Sequence, residues 1–395
     1  MPYWTDMSKK LVYILAGIGL FLFSIGVSYL AFSYVKIPSL APKKVAEITP
    51  TPGKKSRIDP SIPRTEVCPL NGVMYTQQEK ALWDTRRPLA VMIENHADSR
   101  PLSGLTAADI VYEAVAEGGI TRHMAVFYCN VMENTMFAPV RSARIYFTKL
   151  VQEYDALYNH VGGAGNCDDP TVDERAKALC FIRKNKIKDL DQFGRAGDFK
   201  TCHRVSNRLD REVAYEHTMA CFSDELYKAG VKYDWTNVDE KGIAWDKNFK
   251  SWKFKDEAVE KGAVVDISFD FWANKNDYSV AWKYDPATNS YLRENGGQKV
   301  MDLNVNEQVA AKVLIVQFVK ETGPLDEHFH MYYEIQGTGK TLVFQDGTVT
   351  TGTWSKPTLV GRTKFTDSKG KEIEFNRGQV WIELVPADNV INYIQ

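Results

Sequence analysis

The densest cluster of residues able to carry out chemistry lies between positions 94 and 144. Glu113 and Glu117 are four residues apart, a spacing that predicts both side chains on one face of a helix or a strand. In a helix the backbone rise between them is about 6 Å, which is compatible with a pair of catalytic carboxylates. In a strand the rise is about 13 Å, too far for both to flank one glycosidic bond without another partner. The alternation of side chains over 110–117 favours the strand, so solvated or salt-bridged carboxylates are the stronger interpretation.

A glycine pair follows these carboxylates and leads to an arginine. Gly118-Gly119 permits a sharp turn or a close approach of the backbone. Arg122, just beyond it, has the planar guanidinium group that binds a carboxylate or a phosphate through two parallel hydrogen bonds. The alternative is a plain hairpin in which Arg122 pairs with Glu113 or Glu117.

Two further arginines, Arg141 and Arg144, flank Ser142 at the predicted start of a helix. A proline precedes them, and apolar residues recur at helical spacing beyond them. Arginines three residues apart are neighbours on one helix face. Because the N-terminal end of a helix is itself positive, this arrangement predicts an anion nearby. That anion is either a ligand or the two carboxylates above.

His160 begins a glycine-rich segment, HVGGAG, which would follow a strand and could cradle an anion. The segment lacks the spacing of a dinucleotide-binding motif or a P-loop. His328 and His330 share one face of a predicted strand, but no third metal ligand accompanies them. The sequence therefore predicts neither a metal nor a cofactor, and His160 joins the candidate ligand-binding residues.

Strand-like and helix-like segments alternate from residue 67 to residue 235. Pro88–Glu94 and His123–Cys129 are short apolar runs typical of buried strands. Arg211–Ala229 predicts a helix that ends at Gly230. We therefore expect an α/β or α+β domain over 67–235.

The pattern from residue 250 to residue 395 indicates a mainly β domain. Asp346-Gly347 is a strong hairpin signal, and Asn295-Gly296-Gly297 marks a further turn. The spacing of the apolar runs fits a sandwich or a barrel-like arrangement. The predicted strands are Val264–Trp272, Ser279–Tyr284, Ser290–Glu294, Lys312–Lys320, Met331–Ile335, Thr341–Gln345, Thr348–Trp354 and Gln379–Val385.

A membrane anchor and a stalk are predicted at the N-terminus. Residues 11–35 form a run of 25 residues without a charge. At about 1.5 Å per residue this run exceeds the ~30 Å hydrocarbon core, and it exceeds the apolar core of a cleaved signal. Residues 1–10 would then be a cytoplasmic tail and the proline-rich segment 36–66 an extended stalk. Lysines lie on both sides of the span and give opposing predictions for its orientation in the membrane. A single span followed by a long domain is the common pattern of exported proteins, so we expect the body outside the cytoplasm.

Composition separates a basic N-terminus from an acidic body. The 395 residues include 49 Lys+Arg and 50 Asp+Glu, and the 44% hydrophobic and 25% charged fractions are those of ordinary globular proteins. Residues 1–66 hold nine of the basic and four of the acidic side chains, which leaves 40 and 46 for the rest. A body with a net charge of −6 argues against a nucleic-acid-binding surface.

The six cysteines permit disulfides in an exported protein. None of them forms a CxxC pair, so a zinc site or a thioredoxin-like motif has no support. We expect one or two disulfides among Cys167, Cys180, Cys202 and Cys221. Cys129 ends an apolar run and is expected to be buried as a free thiol.

This chain resembles the YerB-like family of bacterial lipoproteins in both halves. In the first half the similar segments are RPLAVMIEN, RPLSGLTAADIVYEAVAEGGITR and APVRSARIYF, and in the second half they are GTGKTLVFQDGTVTTGTWSKP and GKEIEFNRGQVWIELVP. The resemblance implies an envelope protein tethered on the outer face of the cytoplasmic membrane, with a two-part domain of unknown function and no settled reaction. The chain departs from the family pattern because no lipid-modifiable cysteine lies near the predicted anchor, which takes the place of a lipid.

Two classes of function fit these features, and a third fits less well. The leading hypothesis is a non-catalytic envelope protein that binds a cell-wall component, such as peptidoglycan, or a wall-synthesis partner. The rival is a cell-wall-acting hydrolase or transferase that uses Glu113 or Glu117 as acid or base. A cytoplasmic, membrane-tethered regulator of a nucleic-acid enzyme is disfavoured by the acidic body and the cysteines. The resemblance places emphasis on Asn95, Arg100, Glu113, Glu117, Arg122, Arg141, Ser142 and Arg144, and these residues together with His160 are the candidate ligand-binding residues.

Overall fold

The computed structural model describes residues 61–131, 134–195, 197 and 201–394, together with residues 19 and 22. Contacts separate Met1–Asp59 from one compact body, Pro60–Gln395. Except for residues 19, 22 and 61–66, the predicted tail, anchor and stalk lie outside the described residues. Among the described residues no helix is long and apolar enough to cross a membrane.

An eleven-stranded sheet forms the centre of the body. In spatial order its strands are Lys364–Asp367, Thr348–Lys356, Gly337–Gln345, Val313–Thr322, Val380–Pro386, Ile110–Glu117, Ile120–Phe127, Leu89–Glu94, Leu157–His160 and Asp189–Asp191, with Tyr332–Glu334 paired to Val313–Thr322. The strands at its middle are buried on both faces, in agreement with their continuous apolar sequences.

The two halves of the chain share this main sheet. Val380–Pro386 pairs in parallel with Val313–Thr322 on one side and with Ile110–Glu117 on the other. The sheet therefore crosses the boundary expected between 235 and 250, and the second half is not a self-contained sandwich or barrel. The first half nevertheless mixes helices and strands while the second is mainly β, as the sequence predicts.

A second, antiparallel sheet is built entirely from the second half. Its strands are Gln298–Lys299, Ser290–Asn295, Val280–Asp285, Asp266–Phe269 and Asn392–Ile394, with Ala310–Ala311 paired to Ser290–Asn295. Two predicted hairpins are confirmed. Gly296-Gly297 connects Asn295 to Gln298, and Asp346-Gly347 connects Gln345 to Thr348 in the main sheet. All four turn residues have positive φ, which is the conformation that two-residue hairpin loops require.

Among the described residues of the body, the α-helices are short and lie in the first half. The α-helices are Gln77–Trp83, Ile145–Leu150, Ala178–Lys184 and Ser223–Lys232, and the 3₁₀ turns are Ala97–Ser99, Leu105–Ala107, Val151–Glu153, Tyr215–Thr218 and Asn276–Tyr278. The remaining short strands are Glu66–Val67 with Met74–Tyr75, Met136–Phe137 with Met219–Phe222 and Cys202–Arg204, Phe254–Lys255 with Phe375–Asn376, and Met301–Asp302 with Glu307–Gln308.

Two helix predictions are wrong in their boundaries. The segment predicted as one helix, Arg211–Ala229, contains the strand Met219–Phe222, because this strand pairs with Cys202–Arg204 and with Met136–Phe137. The helix expected from Arg141 begins only at Ile145. Arg141 is extended instead, since its N–H donates to the carbonyl of Met92.

All six cysteines form disulfides, more than the one or two expected. Cys167–Cys180 and Cys202–Cys221 fall within the predicted set. Cys129 is paired with Cys68, so the expectation of a free thiol is wrong. Their spacing of 61 residues gave no local signal of this bond.

Candidate functional site

Glu113 and Glu117 lie on one strand but point to opposite faces of the main sheet. The hairpin register pairs Glu113 with His123 and then shifts between Val115 and Glu117. The extra residue of this β-bulge reverses the direction of Glu117. Glu117 consequently contacts Arg122, whose side chain lies on the face opposite to His123. The expectation of both carboxylates on one face is therefore wrong, and these two described side chains do not form a carboxylate pair.

On one face Glu113 belongs to a fully buried network that joins the two sheets. Its Oε2 lies 2.8 Å from Arg293 Nη2 of the second sheet and 3.3 Å from His123 Nε2. Its Oε1 accepts hydrogen bonds from Thr121 at 2.7 Å and from Asn95 at 3.3 Å. Burial disfavours the charged carboxylate, but Arg293 and His123 outweigh burial and lower the pKa of Glu113. Glu113 is thus an ionised structural anchor, closed to solvent.

Glu383 completes this network from the neighbouring strand. Trp282 Nε1 donates a hydrogen bond to its Oε1 at 3.0 Å, and Arg293 Nη1 lies 3.7 Å from the same atom. Burial, and then the negative charge of Glu113, raise the pKa of Glu383. Glu383 therefore keeps its proton to higher pH than an ordinary glutamate does.

The opposite face carries a cluster that we call the arginine–carboxylate patch. It consists of Glu94, Glu117, Arg122, Arg141, Arg144 and His217. Glu117 is held by two of its arginines: Oε1 lies 2.8 Å from Arg122 Nη2, and Oε2 lies 3.0 Å from Arg144 Nε. Burial opposes the charge of Glu117, but Arg122 and Arg144 outweigh it and lower its pKa to about 2.

Glu94 holds the other half of the patch. Its Oε1 forms an ion pair with Arg141 Nε at 3.1 Å, and its Oε2 lies 2.8 Å from His217 Nδ1. The side chains of Arg141 and Glu117 are 27% and 25% exposed, whereas Glu94 is 3% exposed. One positive and one negative group are thus within reach of a ligand.

The other predicted residues support this region or lie apart from it. Asn95 is buried and donates to Thr121 and Asn295, on the face of Glu113. Arg100 donates to Asn95 and to the carbonyl of Asp277, which fixes the second half to this loop. Ser142 contributes its carbonyl oxygen, which accepts a hydrogen bond from Arg122.

His160 is itself fully buried and belongs to a separate cluster with two partly exposed aspartates. Its Nδ1 lies 2.8 Å from the carbonyl oxygen of Gly162, and its Nε2 lies 2.8 Å from Asp189 Oδ1. Asp191 lies 3.6 Å from Nδ1 and accepts the Gly162 N–H. Burial alone would lower the pKa of His160, but Asp189 and Asp191 outweigh it and raise the pKa. The predicted glycine cradle thus holds a buried histidine between two carboxylates rather than an open anion site.

We expect His160→Gln to destabilise the protein most at acidic pH, by about 1–3 kcal/mol. The raised pKa makes the stabilisation complete below the unfolded-state pKa of about 6.5 and removes it as pH rises through the higher folded-state pKa. Denaturant unfolding of both proteins at about pH 6 and pH 9 tests this. The exposed His328→Gln is the control, and a difference between wild type and His160→Gln that does not shrink with pH contradicts the assignment.

Metal ligands are sparse among the described residues. His96, Asp98 and His217 bring ligand atoms within 4.8 Å of one another, but His217 Nδ1 is engaged by Glu94 and the two imidazoles are stacked 4.7 Å apart. His330 Nδ1 is engaged by Asp326 at 2.9 Å.

Several members of these networks were not singled out from the sequence, among them Glu94, His217 and Arg293. Glu94 is the last residue of a predicted strand. The sequence signal for its role was that a charged residue ends an apolar run. His217 lies in the segment misread as a helix. Arg293 is 180 residues from Glu113, so no local pattern connects the two.

Comparisons with known proteins agree with this architecture. The family model described as "Protein of unknown function (DUF3048) N-terminal domain" matches residues 71–230, and the corresponding C-terminal domain model matches residues 267–382. The "Putative lipoprotein YerB" of Bacillus subtilis (strain 168) is 28% identical over 322 residues, which cover 80% of this chain and 86% of that protein. The crystal structure of YerB protein from Bacillus subtilis superposes with a TM-score of 0.67 at 26% identity, covering 83% of this chain and all of that one. The resemblance to the YerB-like family is thereby confirmed, and the chain belongs to the DUF3048 family.

Proposed function

We propose that this chain is a membrane-anchored, extracytoplasmic protein of the cell envelope that binds a cell-wall component or a wall-synthesis partner without catalysing a reaction. The location is supported by three disulfides, since such bonds persist in oxidising compartments. It is also supported by the similarity to a protein described as a lipoprotein. The uncharged run 11–35 supplies the anchor in this proposal.

The observation that carries the binding role is the pairing of each patch carboxylate with arginine. A general acid or base works best with a pKa near the operating pH. The pKa of Glu117 is instead lowered to about 2 by Arg122 and Arg144, so it has no proton to donate near neutrality. Glu113 is buried on the opposite face beneath Arg293. Fixed pairs of charges suit recognition better than proton transfer.

The accessible charges indicate the kind of ligand. Arg141 offers part of a guanidinium group and Glu117 part of a carboxylate on the same face. A ligand that carries both a carboxylate and an ammonium group, as the peptide stems of peptidoglycan do, complements this pair. The hairpin turn Gly118-Gly119, in which both residues have positive φ, directly follows Glu117.

Co-sedimentation with purified peptidoglycan tests the proposal, with the full-length chain held in detergent. We expect Arg141→Gln to weaken binding about tenfold, because a charge-assisted contact is lost. Arg175→Gln is the control, since Arg175 is an exposed arginine in a local ion pair. Equal binding by wild type and Arg141→Gln would refute a role for the patch.

A further inference from the structure

A groove at one end of the main sheet has features that the arginine–carboxylate patch does not explain. It encloses about 990 Å³ beside the terminal strand Asp189–Asp191, between the helix Ala178–Lys184 and the loop 233–241. Binding pockets for small molecules span roughly 300–1,000 Å³. This groove therefore has room for a ligand larger than a single sugar.

Six basic and five acidic side chains line the groove. Its basic side chains are Arg87, Arg183, Lys186, Lys188, Arg195 and Lys241. Within the described part of the chain, four of them form no ion pair, namely Arg183, Lys186, Arg195 and Lys241. None of these four cations is paired directly with a carboxylate of the described residues, although the charge of Lys241 acts on Asp239.

Most of the acids that line the groove are already engaged. Asp189 and Asp191 hold the buried histidine described above. Asp239 accepts two backbone N–H groups of its own loop, at 2.9 and 2.8 Å. Asp234 and Glu240 are left, both exposed, so the uncommitted charge of the groove is positive.

A buried arginine at the groove gives a second, independent sign of an anionic ligand. Arg87 is 0% exposed and pairs through Nη1 with Asp155, which it shares with Lys188. Its Nε and Nη2 have no hydrogen-bond partner among the described residues. Buried charged donors without partners are costly, and an anion in the groove would supply acceptors beside them.

An aromatic pair forms part of the wall. The rings of Tyr233 and Trp235 lie 5.2 Å apart, and the guanidinium of Arg195 lies 5.1 Å from the Trp235 ring. Both aromatic residues line the groove and are half-buried, so part of each side chain remains accessible there. Such surfaces pack against the apolar face of a sugar ring.

We propose that this groove binds a phosphate-bearing glycan, with phosphates between the cations and a sugar ring against Tyr233 and Trp235. Three of the six cations are lysines, which act as point charges and bind phosphate without the planar geometry that a carboxylate–arginine pair uses. The site is separate from the arginine–carboxylate patch and does not depend on it.

The test measures binding of the full-length chain, in non-ionic detergent, to a synthetic glucosylated poly(glycerol phosphate) by calorimetry. We expect Lys186→Glu/Lys241→Glu to weaken binding about tenfold or more and to flatten its salt dependence. Lys369→Glu/Lys371→Glu makes the same charge change on an exposed turn outside the groove and should bind as wild type does. Arg141→Gln should also bind normally, which separates failure of this proposal from failure of the patch.

Three outcomes would overturn the proposal. One is undiminished binding by the groove variant, or an equal loss in the control. Another is equal affinity for a phosphate-free chitin oligosaccharide, which would remove the role of phosphate. The third is binding to phosphatidylglycerol vesicles with the same variant sensitivity but no binding to the polymer, which would assign the groove to a lipid headgroup instead of a glycan.

Discussion

Glu153→Gln is expected to lower the free energy of unfolding by about 3–5 kcal/mol, because it leaves two buried cations without their counter-charge. Glu153 Oε1 lies 2.7 Å from Lys356 Nζ, and Oε2 lies 3.0 Å from Arg362 Nη1. Thr363 adds hydrogen bonds to both oxygens from its hydroxyl and its N–H. Burial opposes the charge of Glu153, but Lys356 and Arg362 outweigh it and lower its pKa.

This network matters because it ties the two halves of the chain together at a point closed to water. Glu153 belongs to the first half of the chain, whereas Lys356 and Arg362 both belong to the second half. All three side chains are buried. Denaturant unfolding measures the loss. Glu327→Gln, on an exposed loop, is the control, and the double variant Glu153→Gln/Lys356→Met should lose less than the sum of the two single changes. A change of less than about 0.5 kcal/mol for Glu153→Gln, as at surface positions, would contradict the account.

Arg293→Met is expected to destabilise the protein by about 3–5 kcal/mol at neutral pH, and by less in acid. Arg293 is the main counter-charge of Glu113, and both side chains are fully buried. Without it, burial raises the pKa of Glu113, which can then escape the penalty by taking up a proton.

The sign of this pH dependence distinguishes a charge effect from lost packing. In the wild type the lowered pKa of Glu113 gives stability that is fully present above the unfolded-state value of about 4.5 and is lost only as pH falls from there through the folded-state value of about 2. In Arg293→Met the raised pKa of Glu113 instead costs stability above about pH 4.5, and this cost disappears as the buried carboxylate takes up its proton, so the difference in unfolding free energy between the two proteins should narrow from about pH 7.5 to about pH 4.5. Arg293→Lys keeps the positive charge and should lower the free energy of unfolding by less than Arg293→Met does. Some loss should remain, because lysine cannot reproduce the guanidinium contacts with Trp282 and Trp381. An identical loss of unfolding free energy at both pH values would mean that the destabilisation comes from lost packing and not from charge.

Local pattern sufficed for the eight predicted strands of the second half and for its two hairpins, but not for shorter strands such as Lys364–Asp367 and Asn392–Ile394. The alternation of apolar residues and the Asp346-Gly347 and Gly296-Gly297 turns are properties of adjacent residues, and the observed strands follow them. The strand Leu89–Glu94 was likewise visible as an apolar run.

What the sequence could not supply were contacts between distant segments. The parallel pairing of Val380–Pro386 with Ile110–Glu117, which merges the two halves into one sheet, leaves no mark in either segment alone. The same pairing logic explains Met219–Phe222, where neighbouring strands overrode an apparent helical period.

The candidate site shows the same division. The sequence identified Glu117, Arg122 and Arg144 as a group, and the structure brings them together. Glu113 was also predicted to belong to this group. This prediction was wrong because the β-bulge at 115–117, which no side-chain pattern indicates, adds one residue and turns Glu117 to the opposite face. One inserted residue therefore separates a buried anchor from a half-exposed binding group.

The central claim, that this body binds a wall component without cleaving it, is tested most directly by one assay of purified peptidoglycan incubated with the full-length chain. The pellet is examined for bound protein and the supernatant is examined by mass spectrometry for released fragments. We expect bound protein and no released fragments. Released fragments that disappear with Glu117→Gln would contradict the claim and establish the protein as a wall-acting enzyme.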